Sequence, residues 1–350
     1  MSFPLFGTRI IAAPMAGGTS TPAFVRAVHE AGGLGFLAAG YKSVSAMQAD
    51  IRSTRETGAR FGMNVFVPDP AQLDPAPELR ARLQDYRSRL LADALRYGVQ
   101  LPALRLDDDD DWHAKIDALL QDPVELVSFA FGLPGSEVVR SLQRSGSAVL
   151  ATVTTPSEAR QAAEQGVDAL VVQHASAGGH SAAFEPAPQS GFLPSGTPQP
   201  GTTAELLAQV RSAVALPLVA AGGIMDPAGL KAVLAAGAQA AQLGTAFLRA
   251  EESGARQLHK DALASPHFTQ TRLTRAFTGK PARALVNEFV RDHADAPEAY
   301  PAVHHLTAPI RAAAAAAGDA ERLNLWAGTG WQQARSGPVA GIVDGLLAGG

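Results

Sequence analysis

The sequence contains no cysteine among its 350 residues, and this absence excludes several kinds of chemistry at once. Disulfide bridges, zinc sites with cysteine ligands, iron–sulfur clusters and thiol nucleophiles all require a residue that the chain does not have. Any redox reaction that the protein performs therefore has to use a bound cofactor.

The sequence also lacks a strong excess of positive or negative charge, and it lacks long apolar runs. Lys and Arg number 29 against 33 Asp and Glu, and no basic stripe is interleaved with aromatic residues, which argues against nucleic acid as a partner. The apolar runs have the length of strands, and residues 1–6 lack the basic and apolar regions of a signal peptide. We therefore expect a cytoplasmic protein that binds neither membrane nor nucleic acid.

Eight short apolar runs stand along the first 250 residues, and segments of helical pattern separate them. The runs are residues 10–15, 34–40, 60–67, 126–131, 148–153, 169–175, 217–221 and 240–247. Continuous apolar runs are typical of parallel strands buried on both faces. Thr155-Pro156 and Asp226-Pro227 are helix starts, with a capping residue before a proline. The alternation predicts an α/β fold, a (β/α)8 TIM barrel, with an open doubly wound sheet as the alternative.

Two segments do not follow this alternation. Residues 69–122 form an insertion after the third strand, and its acidic run at 107–111 is interpreted as a solvated loop and helix cap. From residue 251 the strand pattern fades and helical patterns replace it. We predict a barrel over residues 1–250 and a mainly helical extension over 251–350 that packs on the barrel.

The sixth strand leads into Gly178-Gly179-His180, and this turn is the leading catalytic candidate. Strand-end loops of parallel barrels carry the chemistry, and glycines allow the backbone to approach a flat ligand closely. His174 is a competing base, but strand alternation puts it on the face opposite Gln173. We therefore prefer His180. The pair His304-His305 lacks metal-ligand spacing, and we predict no metal site.

Glycines also follow the seventh and eighth strands, where barrels commonly bind phosphate. Gly222-Gly223 and Gly244 free backbone N–H groups there, and a helix N-terminus beside them adds to an anion site. Asn64 and Gln173 are amides in otherwise apolar strands, so each is expected to bond backbone or the edge of a heteroaromatic ring. Together these features indicate a flat, phosphorylated cofactor over the barrel mouth.

In these motifs and their order, the chain resembles the nitronate monooxygenase family, FMN-dependent TIM barrels also called 2-nitropropane dioxygenases. The motifs are residues 13–18, 61–66, 177–180, 220–224, 242–245 and 277–283. The resemblance implies His180 as catalytic base or as electrostatic partner of the substrate's nitro group. It further implies an FMN site with flavin contacts from Pro14, Met15, Asn64 and Gln173, close approach by Gly178 and Gly179, and a phosphate cup of Gly222, Gly223, Gln242, Leu243, Gly244 and Thr245.

The reaction that the resemblance implies is the oxidation of alkyl nitronates with O2 to carbonyl compounds and nitrite. Electrons pass from the bound anion to FMN, and O2 reoxidises the flavin. A neutral nitroalkane first has to lose its α-proton, a step that suits a histidine near its ordinary pKa. The small-molecule substrate and O2 are then the partners, and a homo-oligomer is compatible with the sequence.

Two other functions stay open at this point. FMN-dependent reductases that use NAD(P)H to reduce enoyl thioesters or quinones share most of the motifs. A flavin-binding barrel without turnover is the third alternative, and an intact His180 argues against it. The chain also departs from the family in having Ser176 where Glu often precedes Ala-Gly-Gly-His, which predicts a change in the orientation or tuning of His180.

Overall fold

Eight parallel strands close into a barrel in the computed structural model, which describes residues 5–185 and 200–348. Residues 1–4, part of the segment without signal-peptide features, lie outside these ranges. The barrel strands are β1 (Ile10–Ala12), β2 (Leu34–Ala38), β3 (Phe61–Phe66), β4 (Leu126–Ala130), β5 (Ala148–Val153), β6 (Ala169–Gln173), β8 (Leu218–Ala221) and β9 (Ala240–Leu243). Because β1 pairs with both β2 and β9, the predicted TIM barrel is confirmed and the open sheet is wrong.

A helix follows each barrel strand and covers the outside of the barrel. These helices are α1 (Pro22–Glu30), α2 (Val44–Glu56), α6 (Trp112–Gln121), α7 (Ser136–Arg144), α8 (Pro156–Gln165), α9 (Thr203–Ala213), α10 (Pro227–Ala235) and α14 (Val339–Leu347). The predicted starts are confirmed, since the side chains of Thr155 and Asp226 accept hydrogen bonds from the first turns of α8 and α10. Within the described ranges, none of the helices combines the length and the apolar character needed to cross a bilayer.

The eighth barrel helix comes from the far end of the chain, which the sequence did not indicate. β9 ends at Leu243, and the predicted continuation of this strand is instead a 3-10 helix, Thr245–Phe247. The chain then leaves the barrel and returns as α14, which packs on α1 and α10. Its buried residues belong to the core between strands and helices. The expected boundary at residue 250 therefore does not hold for α14, because this helix completes the barrel.

Residues 69–111 and 251–338 lie over one end of the barrel, and we call them the cap. The cap helices are α3 (Pro70–Leu73), α4 (Pro77–Arg89), α5 (Leu91–Arg96), α11 (Gln257–Ala264), α12 (Glu288–Asp292) and α13 (Ala302–Ala316), with 3-10 helices at Ala320–Arg322 and Trp331–Gln333. A small antiparallel sheet, which the sequence analysis missed, joins β10 (Thr271–Thr274), β11 (Ala282–Leu285) and β7 (Gly179–His180) in the order β10-β11-β7. These strands carry no long apolar run that would have indicated them.

The two parts of the cap share one hydrophobic core. Leu83 and Tyr86 of α4 pack there with Phe277, Phe289 and other residues from the C-terminal part. A buried polar link reinforces this core, since the carboxylate of Asp93 accepts hydrogen bonds from His293 at 2.8 Å and Arg322 at 2.6 Å. The insertion and the extension thus depend on each other for burial.

The interpretation of residues 107–111 as a solvated run is wrong for two of its members. Asp108 accepts from His305 of α13 at 2.6 Å, and this bond is the main reason that its pKa is lowered to about 2. Asp110 lies 2.8 Å from the fully buried amine of Lys115 and accepts from the backbone N–H of Tyr41. These carboxylates anchor the insertion to the barrel and to the C-terminal part of the cap, whereas Asp107 is exposed.

Gly62 provides a test of how the barrel interior packs. It lies in β3 opposite Phe36 of β2, and a Cβ at this position would come 2.2 Å from the Phe36 ring. We expect Gly62→Ala to lower the free energy of unfolding by about 1–3 kcal/mol, because the interior has to shift to admit the methyl group. Denaturant unfolding followed by circular dichroism measures this change.

The matched control is Gly341→Ala in α14. A Cβ on this exposed helical glycine would meet only Pro338, at 4.0 Å. The substitution should be neutral or stabilise the protein by up to about 1 kcal/mol. Equal stability of the two variants would contradict the packing described for Gly62.

Candidate active site

A cavity of about 320 Å³ lies between the carboxyl ends of the barrel strands and the cap. Its barrel side comes from strand ends and the loops that follow them, and its other side comes from the cap. Every site residue predicted from the sequence lines this one cavity: Pro14, Met15, Asn64, Gln173, Gly178, Gly179, His180, Gly222, Gly223, Gln242, Leu243, Gly244 and Thr245. The fold therefore brings these residues together, although most lie far apart in the chain.

The turns after β8 and β9 form a glycine-lined cup. Gly222 and Gly223 have φ angles of 116° and 68°, which favour glycine. A Cβ on Gly222 would lie 2.9 Å from the carbonyl oxygen of His174, so no side chain fits there. The backbone N–H groups of Gly222, Gly223, Gly244 and Thr245 donate to no atom of the described residues. Such a group of unpartnered donors suits a phosphate or another anion.

The helix N-terminus expected beside this cup is that of α10, and a side chain of the protein already caps it. Asp226 caps α10, and its carboxylate accepts from the N–H of Gly229 at 2.7 Å. An anion in the cup would therefore face the loop N–H groups, and α10 would contribute less than the sequence suggested.

The two strand amides are bonded to the protein itself. Asn64 is buried and its amide donates to the carbonyl and the hydroxyl of Ser128. The amide of Gln173 donates to the carbonyl oxygen of His180 at 3.0 Å, and its oxygen accepts from the N–H of Ala182 at 2.8 Å. Backbone, one of the two partners expected, bonds both amides, and Gln173 fixes the segment that carries His180.

His180 reaches the cavity from β7, which pairs with β11 of the cap. Its Nε2 lies 2.9 Å from the hydroxyl oxygen of Thr278. That hydroxyl can donate to the carbonyl of Lys280 at 3.3 Å, so we assign the Nε2 proton to the bond with Thr278 and the lone pair to Nδ1. The rings of Trp326, Phe131 and Tyr300 surround the imidazole at centroid distances of 5.2, 5.5 and 6.0 Å.

His180 does not have the near-ordinary pKa that would suit the abstraction of a proton from a nitroalkane. Burial, with the positive charges of Lys280 and Arg311 as further causes, lowers the pKa of His180 to about 3. The imidazole is therefore neutral at physiological pH. It can accept a proton, but less readily than an ordinary histidine.

His174, the competing base, points away from this chemistry. Its Nδ1 lies 2.8 Å from the hydroxyl of Ser176, its Nε2 lies 3.2 Å from the carbonyl oxygen of Pro200, and it does not line the cavity. The departure at Ser176 thus affects His174, whereas the partner of the His180 ring is Thr278. The predicted effect of Ser176 on His180 has no direct contact to support it.

Charged residues of the cap were not predicted. Arg256 and Arg311 line the cavity, and no Asp or Glu of the described chain lines it. The alanines that follow Arg311 in the sequence predict a stable helix, and this pattern alone gives Arg311 no role in a site. Its single formal charge in an alanine-rich helix was the available signal, but its place in the cavity depends on distant contacts.

Comparison with known proteins identifies the class to which this fold and site belong. A family model described as nitronate monooxygenase matches residues 5–349. The protein is a flavin-dependent oxidoreductase that acts on a small molecule with O2. The chain belongs to the nitronate monooxygenase family.

Relatives and solved structures agree with this membership. A probable nitronate monooxygenase of Staphylococcus aureus (strain MSSA476) is 34% identical over 346 residues, which cover 97% of this chain and 93% of that protein. A crystal structure of nitroalkane oxidase from Streptomyces ansochromogenes is 48% identical with a TM-score of 0.91, covering 98% of this chain and 96% of that one. The structure of FabK from Thermotoga maritima, with 24% identity, a TM-score of 0.72 and coverage of 98% and 92%, shares the fold.

The residues present fit a flavin. Within the described residues, the N–H groups of the glycine cup have no protein acceptor and are available to a phosphate. No carboxylate of the described chain would repel the phosphate from within the cavity.

Gly244 allows the cup to be tested without disturbing the fold. A Cβ on Gly244 would lie 3.7 Å from Ala13 and Met15, which is ordinary contact. We expect Gly244→Ala to fold normally but to raise the dissociation constant for the flavin about tenfold or more, because the methyl group enters the cup. Flavin fluorescence titration of apoprotein measures the affinity, and thermal unfolding of the apoprotein checks the fold. Unchanged flavin affinity would contradict the proposed cup.

Proposed function

We propose that the protein oxidises alkyl nitronates with O2 to carbonyl compounds and nitrite, with FMN as its flavin. The observation that carries this proposal is the charge of the cavity. A neutral His180 lies in a cavity with two arginines and no carboxylate of the described chain, an environment suited to an anionic substrate. A nitronate is an anion whose oxidation needs no prior removal of a carbon-bound proton.

The flavin would be held mainly by backbone. The single phosphate of FMN would face the N–H groups of the glycine cup, and Gln242 and Leu243 would lie beside it. Pro14, Met15, Asn64 and Gln173 would contact the ring system, and Gly178 and Gly179 would allow close approach. A bound flavin supplies a reversible acceptor for the electrons of the substrate.

His180 is the proposed catalytic residue. With Nε2–H donating to Thr278, the lone pair of Nδ1 is the atom that can accept a proton. The Gln173 contact fixes the backbone of His180, and the aromatic rings around it exclude water from one side. A neutral imidazole does not balance the negative charge of a bound nitronate. The positive charges of the two arginines would have to balance it.

Neutral nitroalkanes are the second candidate substrates, favoured by the likeness to nitroalkane oxidase at 48% identity. They would have to lose the α-proton to Nδ1 of a weakly basic His180. We therefore expect nitroalkanes to react more slowly than their nitronates. The reductase alternative is not favoured. The likeness to FabK is weaker than the likeness to nitroalkane oxidase, in both sequence identity and TM-score.

Anaerobic mixing tests the proposed function. The flavin-loaded protein should lose its oxidised flavin absorbance on mixing with an alkyl nitronate, and nitrite and carbonyl compound should appear once air is admitted. Because His180 stays neutral well below pH 6, kcat/KM for preformed nitronate should show no inflection near 6.5 from this group. Reduction by NADH or NADPH alone, with no response to nitronate, would contradict the proposal.

Thr278 provides a separate test of how His180 is held. Thr278→Val removes the hydroxyl that accepts from Nε2, so the ring can adopt the other tautomer or turn. We expect kcat for a neutral nitroalkane to fall about tenfold, by the loss of an oriented proton acceptor. Thr278→Ser retains the hydroxyl and should keep most of the rate. Steady-state nitrite release measures the rate of both variants. An equal fall in kcat in the two would show that the hydroxyl of Thr278 does not position His180.

A further inference from the structure

Arg311 is a half-buried cation, and its hydrogen-bond partners among the described residues are all neutral. Its Nε donates to the Thr307 hydroxyl at 3.1 Å, and Nη2 donates to Nδ1 and the carbonyl oxygen of His304 at 3.2 and 3.1 Å. Burial lowers the pKa of His304 to about 2, so this ring is neutral and can accept. The Nη1 group has a single long contact of 3.5 Å to Asn324.

A second arginine of the cap, which is buried, shows how such a charge is usually compensated. Arg322 bonds the carboxylates of Asp93, Glu288 and Asp292 at 2.6, 2.9 and 3.1 Å. No carboxylate of the described chain forms an ion pair with Arg311, and burial lowers the pKa of its guanidinium to about 10, so it is still charged at neutral pH. A charge that is partly removed from water and has no ionic partner is costly, and a bound anion would compensate it.

The position of Arg311 indicates where that anion would lie. Arg311 comes from α13 of the cap and lines the cavity together with His180. The glycine cup comes from the turns after β8 and β9, on the barrel side of the same cavity. Arg311 thus lines the cavity from the cap, whereas the groups proposed for the phosphate line it from the barrel.

We infer that Arg311 is the residue that binds the planar oxyanion of the substrate, with the Nη1 edge of its guanidinium directed to the nitronate oxygens. This inference rests on the proposed function for the identity of the substrate. The planar guanidinium matches a planar oxyanion in shape and charge, which a lysine ammonium does not. His304 and Thr307 act as positioning residues, since they hold Nη2 and Nε and leave Nη1 for the ligand.

Inorganic nitrate is a suitable probe, because it is a planar monovalent oxyanion that does not turn over. Isothermal titration of the flavin-loaded protein gives its dissociation constant without any catalysis. We expect Arg311→Met to weaken nitrate binding about 10- to 100-fold, the effect of losing charge-assisted hydrogen bonds. The KM for nitronate should rise in the same proportion.

The control removes one positive charge elsewhere in the cap. Arg96 is half exposed and bonds Asp319 at 2.8 Å, away from the cavity lining. Arg96→Met changes the net charge equally and should leave the dissociation constant for nitrate within about twofold of wild type. Thermal unfolding of each variant shows whether the fold is retained.

If Arg311→Met does not fold, Arg311→Lys keeps the charge and removes the planar group. Wild type should prefer nitrate over chloride, and Arg311→Lys should lose most of that preference. The inference is overturned if nitrate binds Arg311→Met as tightly as wild type, if Arg96→Met weakens nitrate equally, or if Arg311→Lys keeps the preference.

These outcomes separate the inference from the proposed function. Nitronate oxidation by wild type with nitrate binding that does not depend on Arg311 rejects the role of Arg311 alone. Loss of nitrate binding in Arg311→Met, in a protein that does not oxidise nitronates, supports the anion site and rejects the proposed reaction.

Discussion

The short antiparallel pairing between β7 and β11 is the contact on which the cavity depends. It places Ala282 opposite His180 and Arg283 opposite Gly179, and so connects the loop after the sixth barrel strand to the cap. Gln173 then holds the backbone of His180 from the barrel, while Thr278 holds its ring from the cap. The imidazole has its position only when both parts of the molecule are folded together.

The cap itself is held by residues that are far apart in the chain. The insertion after β3 and the segment after β9 bury apolar side chains against each other in one shared core. The Asp93–Arg322 and Asp108–His305 contacts join the same two segments. Because removing one partner of a buried ion pair leaves the other uncompensated, these contacts favour one arrangement of the cap over others. That arrangement brings α13, and with it Arg311, to the cavity.

Local signals in the sequence were sufficient for the eight barrel strands and for several of the helices. Apolar runs marked the eight strands, and caps such as Thr155 and Asp226 marked helix starts, because both depend on neighbouring residues. The glycine turns after β8 and β9 could be placed for the same reason. The role of α14 could not be predicted, since its partners α1 and α10 lie far away in sequence. The low pKa of His180 was equally out of reach, because distant residues bury the ring.

Arg311 and His180 are also coupled through charge. The positive charge of Arg311 is one cause of the lowered pKa of His180, after burial itself. An anion bound at Arg311 would offset that charge, so by linkage its binding raises the proton affinity of His180. A nitronate brings such a charge and needs no base, whereas a neutral nitroalkane needs the base and brings no charge. His180 is thus least basic when a neutral nitroalkane, which requires a base, is bound. The cavity therefore favours the preformed nitronate anion.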